Sequence, residues 1–267
     1  MEKAALVLTS FGVADAGARA LGLEKLAVEM GQALRGLEVR QAYTSVFIRK
    51  KLLKEGTIIP SLPECLAKLE EEGFRRVFLQ PTHFTPGEEY SHKVIEAAES
   101  FRGSFGLMKI GEPLFYREEN EQDDFEAGLQ AVFSAHALAP GEELVLLGHG
   151  SPHRHNPVYE KLQQRADCRG LPVHIGVVEE RDTPNFPMVL ERLEGRGAKK
   201  VLLAPLLLSG GIHVREDMAG EQEGSWLSRL KSCGLAVRTE LKGLAEYPAF
   251  RRLYINKALA LVGADSP

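Results

Sequence analysis

The chain is short of several things that would give it a quick classification. It has three cysteines in 267 residues, Cys65, Cys168 and Cys233. They are odd in number, far apart and form no CxxC pair, which excludes a disulfide framework and a thiolate zinc knuckle. A reducing, cytoplasmic compartment is the expectation that follows. No stretch approaches the roughly 18 apolar residues of a membrane span. The apolar run in MEKAALVLTSFG breaks at Gly12 and is not followed by an h-region with a cleavage site, so no signal peptide is expected. Charge of one sign is also lacking: the formal net charge is -4 with a pI near 6.1, which removes the electrostatic reason to expect nucleic acid as a partner. HExxH, a Walker loop and the full dinucleotide fingerprint are all missing, and no nucleotide or organic cofactor is expected.

What remains is ordinary globular composition, 44% hydrophobic and 26% charged, enough for a sizeable core. Short β-type runs alternate with longer amphipathic segments. The spacing predicts strands over 4–10, 39–47, 76–82, 106–111, 143–149, 172–179, 200–208 and 235–241. Several are continuous Val/Leu/Ile runs, as in strands covered on both faces. Helices are predicted over 23–36, 61–73, 186–197 and 225–234, the last three ending at glycines. The alternation implies an α/β fold, mostly parallel sheet flanked by helices.

The chain also repeats itself. AALVLTSFG resembles ELVLLGHG, and EEGFRRVFLQPTHFTPGEEY (71–90) resembles GRGAKKVLLAPLLLSGGIHV (195–214), with Pro81 matching Pro205 and Gly87 matching Gly211. Two similar α/β halves, 1–125 and 126–267, are therefore expected, with the join in the region 118–142. In this alignment Phe11, Ser45 and Glu89 of the first half match His149, Glu179 and His213 of the second. Each is expected at or just beyond the C-terminal end of a strand, the edge where open α/β sheets bind ligands.

Three segments carry chemistry. In LLGHGSPHRHNPVYEKLQ (146–163), Gly148 and Gly150 flank His149 and leave its imidazole uncrowded. His153 and His155 follow in the loop, and Asn156-Pro157 marks the next helix. Glu179 ends the buried run PVHIGVVE, where a carboxylate must be solvated, paired or bound to a cation. His213 follows Gly210-Gly211 and precedes Arg215, Glu216 and Asp217. Two imidazoles and a carboxylate suit a borderline divalent ion and leave coordination positions open for reaction. Weaker candidates lie in the first half. SFGVADAG (Ser10, Phe11 and Gly12) is a strand-to-helix turn able to receive an anion on backbone N–H groups. PTHFTPGEEY brings His83, Glu88, Glu89 and Tyr90 to a sheet edge. FIRKKLLKEG (47–56) is basic and reads first as a solvated helix face, second as an attractor for a polycarboxylate.

In these residues the sequence resembles the class II tetrapyrrole chelatases, and among them the anaerobic sirohydrochlorin cobaltochelatases, the CbiK family. SFG, QPTHFTPGEEY, GHGSPHRHNPVYEKLQ, IGVVE and GIHVREDMAGEQEGSW occur in the family's order over nearly the whole chain. The resemblance implies two α/β halves with the active site in the cleft between them, and His149, Glu179 and His213 as metal-binding residues. GHGS stands where GHGT is commoner, GGIH where Gly-Asp-His is usual, and Glu180 where glycine often follows the metal-site glutamate. It further implies ATP-independent insertion of Co2+, as substrate metal, into sirohydrochlorin in cobalamin biosynthesis. His149 and His213 are the expected catalytic pair, with His213 alternating between ligand and general base. Ser10, Phe11, Gly12, His83, Glu89 and His153 are expected to line the macrocycle. The expected partner is thus a tetrapyrrole, not nucleic acid or a membrane, and association into a homo-oligomer stays open. Three alternatives are carried: an iron or nickel chelatase on the same macrocycle, a non-catalytic metal or tetrapyrrole carrier, and a metal-dependent hydrolase.

Overall fold

The computed structural model describes residues 2–119, 122–151, 155–211 and 214–263. All eight predicted strands are present. In the first half β1 (Ala4–Ser10), β2 (Glu38–Tyr43), β3 (Arg76–Pro81) and β4 (Leu107–Ile110) form a parallel sheet in the order β2-β1-β3-β4. A two-residue antiparallel ladder follows, β5 (Glu118–Glu119) with β6 (Gln122–Asp123). In the second half β7 (Glu142–Gly148), β8 (Val173–Val177), β9 (Lys200–Pro205) and β10 (Ala236–Thr239) form a second parallel sheet in the order β8-β7-β9-β10. The two orders are the same when counted within each half, so the repeat seen in the residues is also a repeat of topology.

The central strands are apolar because helices cover both faces. Ala5, Val7, Val77 and Leu79 pack against Leu62, Leu66 and Leu69 of helix Leu62–Glu71. In the second sheet Val145, Leu147, Val201 and Leu203 pack with Val189 and Leu193 of helix Phe186–Gly195 and with Trp226 and Leu230 of helix Trp226–Ser232. The helix starts follow local capping chemistry. Ser61 and Glu64 form a reciprocal capping box, and Asn185 and Ser225 accept from the N–H groups of Met188 and Ser228.

Three departures from the sequence reading have physical causes. The strand predicted over 39–47 stops at Tyr43, because the Ser45 hydroxyl accepts from the Ile48 N–H and starts helix Val46–Lys54. Val46 and Phe47, β-formers by composition, thus open a helix. Helix 23–36 becomes a π-helical turn, Ala20–Glu24, followed by helix Lys25–Ala33. The acidic joining region holds helix Asp124–Ala135, whose first turn is capped by the Asp123 carboxylate.

By contact, the chain up to Tyr116 forms one compact unit together with the segment from Arg251, and Arg117–Phe250 forms the other. This partition differs from the halves 1–125 and 126–267 at residues 117–125 and from Arg251 onward. Helix Pro248–Gly263 explains the second difference. Arg251 makes a two-pronged ion pair with Glu29 at 2.8 Å, and the buried Tyr254 hydroxyl donates to the Thr82 carbonyl at 2.9 Å.

Candidate metal site

His149 and Glu179 are brought together by strand pairing that runs past the ends of the strands. β7 closes at Gly148 and β8 at Val177, yet the Val178 N–H donates to the Gly148 carbonyl at 2.9 Å. The Glu179 N–H then donates to the His149 carbonyl at 3.0 Å. The two side chains share one open pocket of about 340 Å³ with Val178, Glu180, Arg181 and Asp217. His149 is exposed. Its Nδ1 lies 3.2 Å from the Gly150 carbonyl, an arrangement in which Nδ1–H donates and the ring is oriented by the backbone. The Glu179 carboxylate is half-buried and, among the described residues, accepts a long bond, 3.4 Å, from the Arg181 N–H.

The glycines beside His149 answer to packing rather than to substrate access. A Cβ on Gly148 would run into the ring of Tyr159. Gly150 has φ +76°, and a Cβ there would come within 2.9 Å of the Glu179 Cβ. Tyr159, 7% exposed, lies beneath the loop and its hydroxyl accepts from the Gly150 N–H at 3.2 Å. Burial pushes its phenol pKa up, so the hydroxyl stays protonated.

A second hidden contributor is Asp182, 3% exposed. Its carboxylate accepts from the Ser151 N–H and the Thr183 N–H, each at 2.8 Å, and from His155 Nδ1 at 2.7 Å. Neither Tyr159 nor Asp182 stood out in the sequence. The only signal was their place in segments already marked by His149 and Glu179.

His213 and His153 lie outside the described residues. In sequence His213 directly precedes the π-helical turn Val214–Met218, which supplies Asp217 to the pocket. Among the described residues no group of three His, Cys, Asp or Glu side chains is gathered closely enough to hold a metal ion. Of the three expected metal-binding residues, the described ones are His149 and Glu179.

The first-half candidates sit at the corresponding edge of their own sheet. Ser10 is buried at the end of β1, whereas the next residue, Phe11, is 54% exposed. Gly12 follows with φ +103°. His83 lies two residues beyond β3; neither ring nitrogen has a hydrogen-bond partner among the described residues, and burial lowers its pKa to about 4. It is a neutral imidazole at neutral pH. Its ring stands 6.2 Å from that of Tyr90. Glu89 is not on the strand end: a loop intervenes, and it belongs to the helical turn Glu88–Tyr90 that runs into the π-helical turn Ser91–Ile95.

The fold is chelatase-like: SirB from Bacillus subtilis with Fe3+ matches at a TM-score of 0.60 and 13% identity, covering 98% of this chain and 97% of that one. The family follows from sequence comparison. The family model for cobalt chelatase (CbiK) matches residues 3–262, and the chain belongs to that family. The sirohydrochlorin cobaltochelatase CbiKC of Nitratidesulfovibrio vulgaris is 32% identical over 265 residues, 99% of this chain and 92% of its own length. The sirohydrochlorin cobaltochelatase of Salmonella typhimurium is 28% identical over 255 residues, 95% of this chain and 94% of its own.

Proposed function

We propose that this protein is a sirohydrochlorin cobaltochelatase that takes Co2+ at the C-terminal edge of its second sheet and inserts it into the macrocycle without nucleotide hydrolysis. The observation that carries the site assignment is the His149/Glu179 pair, locked side by side by a 3.0 Å backbone hydrogen bond and facing one pocket. Family membership and full-length relatives of that name support the reaction.

The stoichiometry fixes what the residues must do. Co2+ enters, two pyrrole N–H protons leave, and the product is the neutral-core cobalt complex. His149 Nε2 and a Glu179 oxygen hold the incoming ion, with His213 as the third ligand. Three protein ligands leave positions open for pyrrole nitrogens to replace water one at a time. An imidazole that releases the metal regains a lone pair for a proton, so ligation and proton uptake compete for one site. In this scheme His213 takes the first proton, releases it to solvent, and then takes and releases the second in the same way. Co2+ is a substrate here and not a resident cofactor. Ser10, Phe11, Gly12, His83, Glu89 and His153 are assigned to contacts with the macrocycle, Phe11 through its exposed ring. Among the described residues no helix is long and apolar enough to cross a membrane. The three scattered cysteines, without a disulfide framework, support a cytoplasmic place of action.

The test is an anaerobic assay with sirohydrochlorin and Co2+ in excess over protein, followed by absorption. Many turnovers per chain are expected. Stoichiometric uptake that stops after one equivalent makes the protein a carrier, and no spectral change overturns the assignment.

A further inference from the structure

The pocket residues are held by a device that lies outside the pocket. Asp182 is not among the residues that line it. Its side chain is fully shielded from solvent, whereas that of its partner His155 is half exposed. A buried carboxylate persists only where hydrogen bonds satisfy it. Here they come from two different stretches of chain: Ser151, two residues after His149, and His155 on one side, and Thr183 on the other. The Asp182 N–H also donates to the Glu179 carbonyl at 3.1 Å, which ties the carboxylate's own backbone to the residue that bears the second ligand. His155 is secured in turn, with Nε2 3.3 Å from Glu160, and Glu160 accepts from the Thr183 hydroxyl at 2.8 Å.

Resting on the cobalt-site reading above, we propose that Asp182 is a positioning residue. Its carboxylate clamps the loop after β7 to the loop after β8 and so sets the spacing of the His149 and Glu179 donor atoms. The backbone bonds from Val178 to Gly148 and from Glu179 to His149 join the two chains only up to the ligand-bearing residues themselves. The bond from Ser151 to Asp182 adds a point of contact beyond them. The first half shows what the same register looks like without the clamp. There the chain after β2 enters helix Val46–Lys54 directly, capped by Ser45, and the two residues between, Thr44 and Ser45, include no carboxylate. Asp182 accepts only and each of its three partners is a donor, so an amide in its place would set N–H against N–H on at least one side.

Four variants test this in the full-length protein: Asp182→Ala, Asp182→Asn, His155→Ala and His155→Asn. The readouts are the visible absorption of bound Co2+ in a titration, the KM for Co2+ and for sirohydrochlorin, kcat, and the thermal midpoint. Residues that orient metal ligands are worth about 10–100-fold in affinity. Both Asp182 variants should raise the Co2+ Kd and KM by about tenfold or more on that scale, with the sirohydrochlorin KM unchanged. His155→Ala should do the same to a lesser degree. His155→Asn, whose amide nitrogen falls where Nδ1 was, should restore it. A merely structural Asp182 would lower the thermal midpoint and leave the cobalt KM of the folded protein untouched, and that result overturns the clamp. Should the Asp182 variants fail to fold, the His155 pair decides, since rescue by asparagine but not alanine is required. If the cobalt bands persist in His149→Ala, it is the site assignment that fails. The clamp is then read from amide exchange at Ser151, which must accelerate in the His155→Ala protein and, if it does not, contradicts it.

Discussion

The two sheets of this protein end in the same way and offer different chemistry there. Beyond β1 and β2 the Thr44 N–H donates to Ser10 at 2.9 Å and the Ser45 N–H to Phe11 at 3.2 Å. Beyond β7 and β8 the Val178 N–H donates to Gly148 at 2.9 Å and the Glu179 N–H to His149 at 3.0 Å. The correspondence continues on the third strand, where Thr82 bonds to Thr9 and Leu206 to Leu147, both at 2.8 Å. One backbone frame thus presents a phenylalanine and a serine in the first half, and a histidine and a glutamate in the second. The difference teaches that the frame provides adjacency, while in the proposed function metal chemistry comes from two side-chain choices and from the proposed Asp182 clamp. An exposed aromatic ring suits a flat macrocycle; an imidazole and a carboxylate suit the ion to be put into it.

The sharpest way to break this comparison is to remove the histidine. His149→Ala should cost insertion at least about 10²–10⁴-fold, the range for loss of a group that handles protons alone, with circular dichroism and melting unchanged. Phe11→Ala, at the matching position, should leave Co2+ affinity intact and raise the KM for the macrocycle. Equal loss of cobalt binding in both would erase the distinction between the halves.

Next in size is the pair Glu179 and Ser45. Glu179→Gln should weaken Co2+ binding, seen as a loss of the visible cobalt bands. Ser45→Ala removes a helix cap and should cost about 1 kcal/mol of stability by denaturant titration, without touching cobalt affinity. A smaller effect concerns Gly148, which stands where the first half has Ser10. Gly148→Ser places a side chain against the Tyr159 ring and should cost about 1–3 kcal/mol by overpacking. Part of that loss should return in the double variant with Tyr159→Leu; a tolerated Gly148→Ser would show that Tyr159 does not pack beneath the loop.

The remaining expected effect is on stability alone, a pH dependence from the first half. His83 is held neutral by burial, with its pKa lowered from about 6.5 to about 4. The unfolded chain therefore binds a proton that the folded chain refuses between those values. Stability is full above about pH 6.5 and falls as the pH drops toward 4. His83→Leu should flatten that part of the curve. His136 and His174, whose pKa values are also lowered by burial, keep a residual slope.

Much of this was legible in the sequence. Strands show because a parallel sheet covered on both faces needs uninterrupted apolar runs such as LVLL and VLLA, and the internal repeat could be aligned on Pro81 and Pro205, which close β3 and β9. The placement of His149 and Glu179 beyond strand ends was legible for the same reason. What stayed hidden depends on contacts between residues distant in sequence. Asp182 reads as one acid in the loop EERDTP, and its role exists only because Ser151 and His155 come to meet it. Tyr159 reads as a helix residue, yet it dictates glycine at position 148. The π-helical turns Ser91–Ile95 and Val214–Met218, five residues each, are too short to show a period of their own in the sequence.

The most direct test of the account is an anaerobic crystal structure with Co2+, with anomalous diffraction collected on both sides of the cobalt edge. A peak is predicted at roughly 2.1 Å, a typical metal–imidazole distance, from His149 Nε2, with a Glu179 oxygen and the His213 ring completing the set. A peak beside His83 and Glu89 instead, with none at His149, would contradict it.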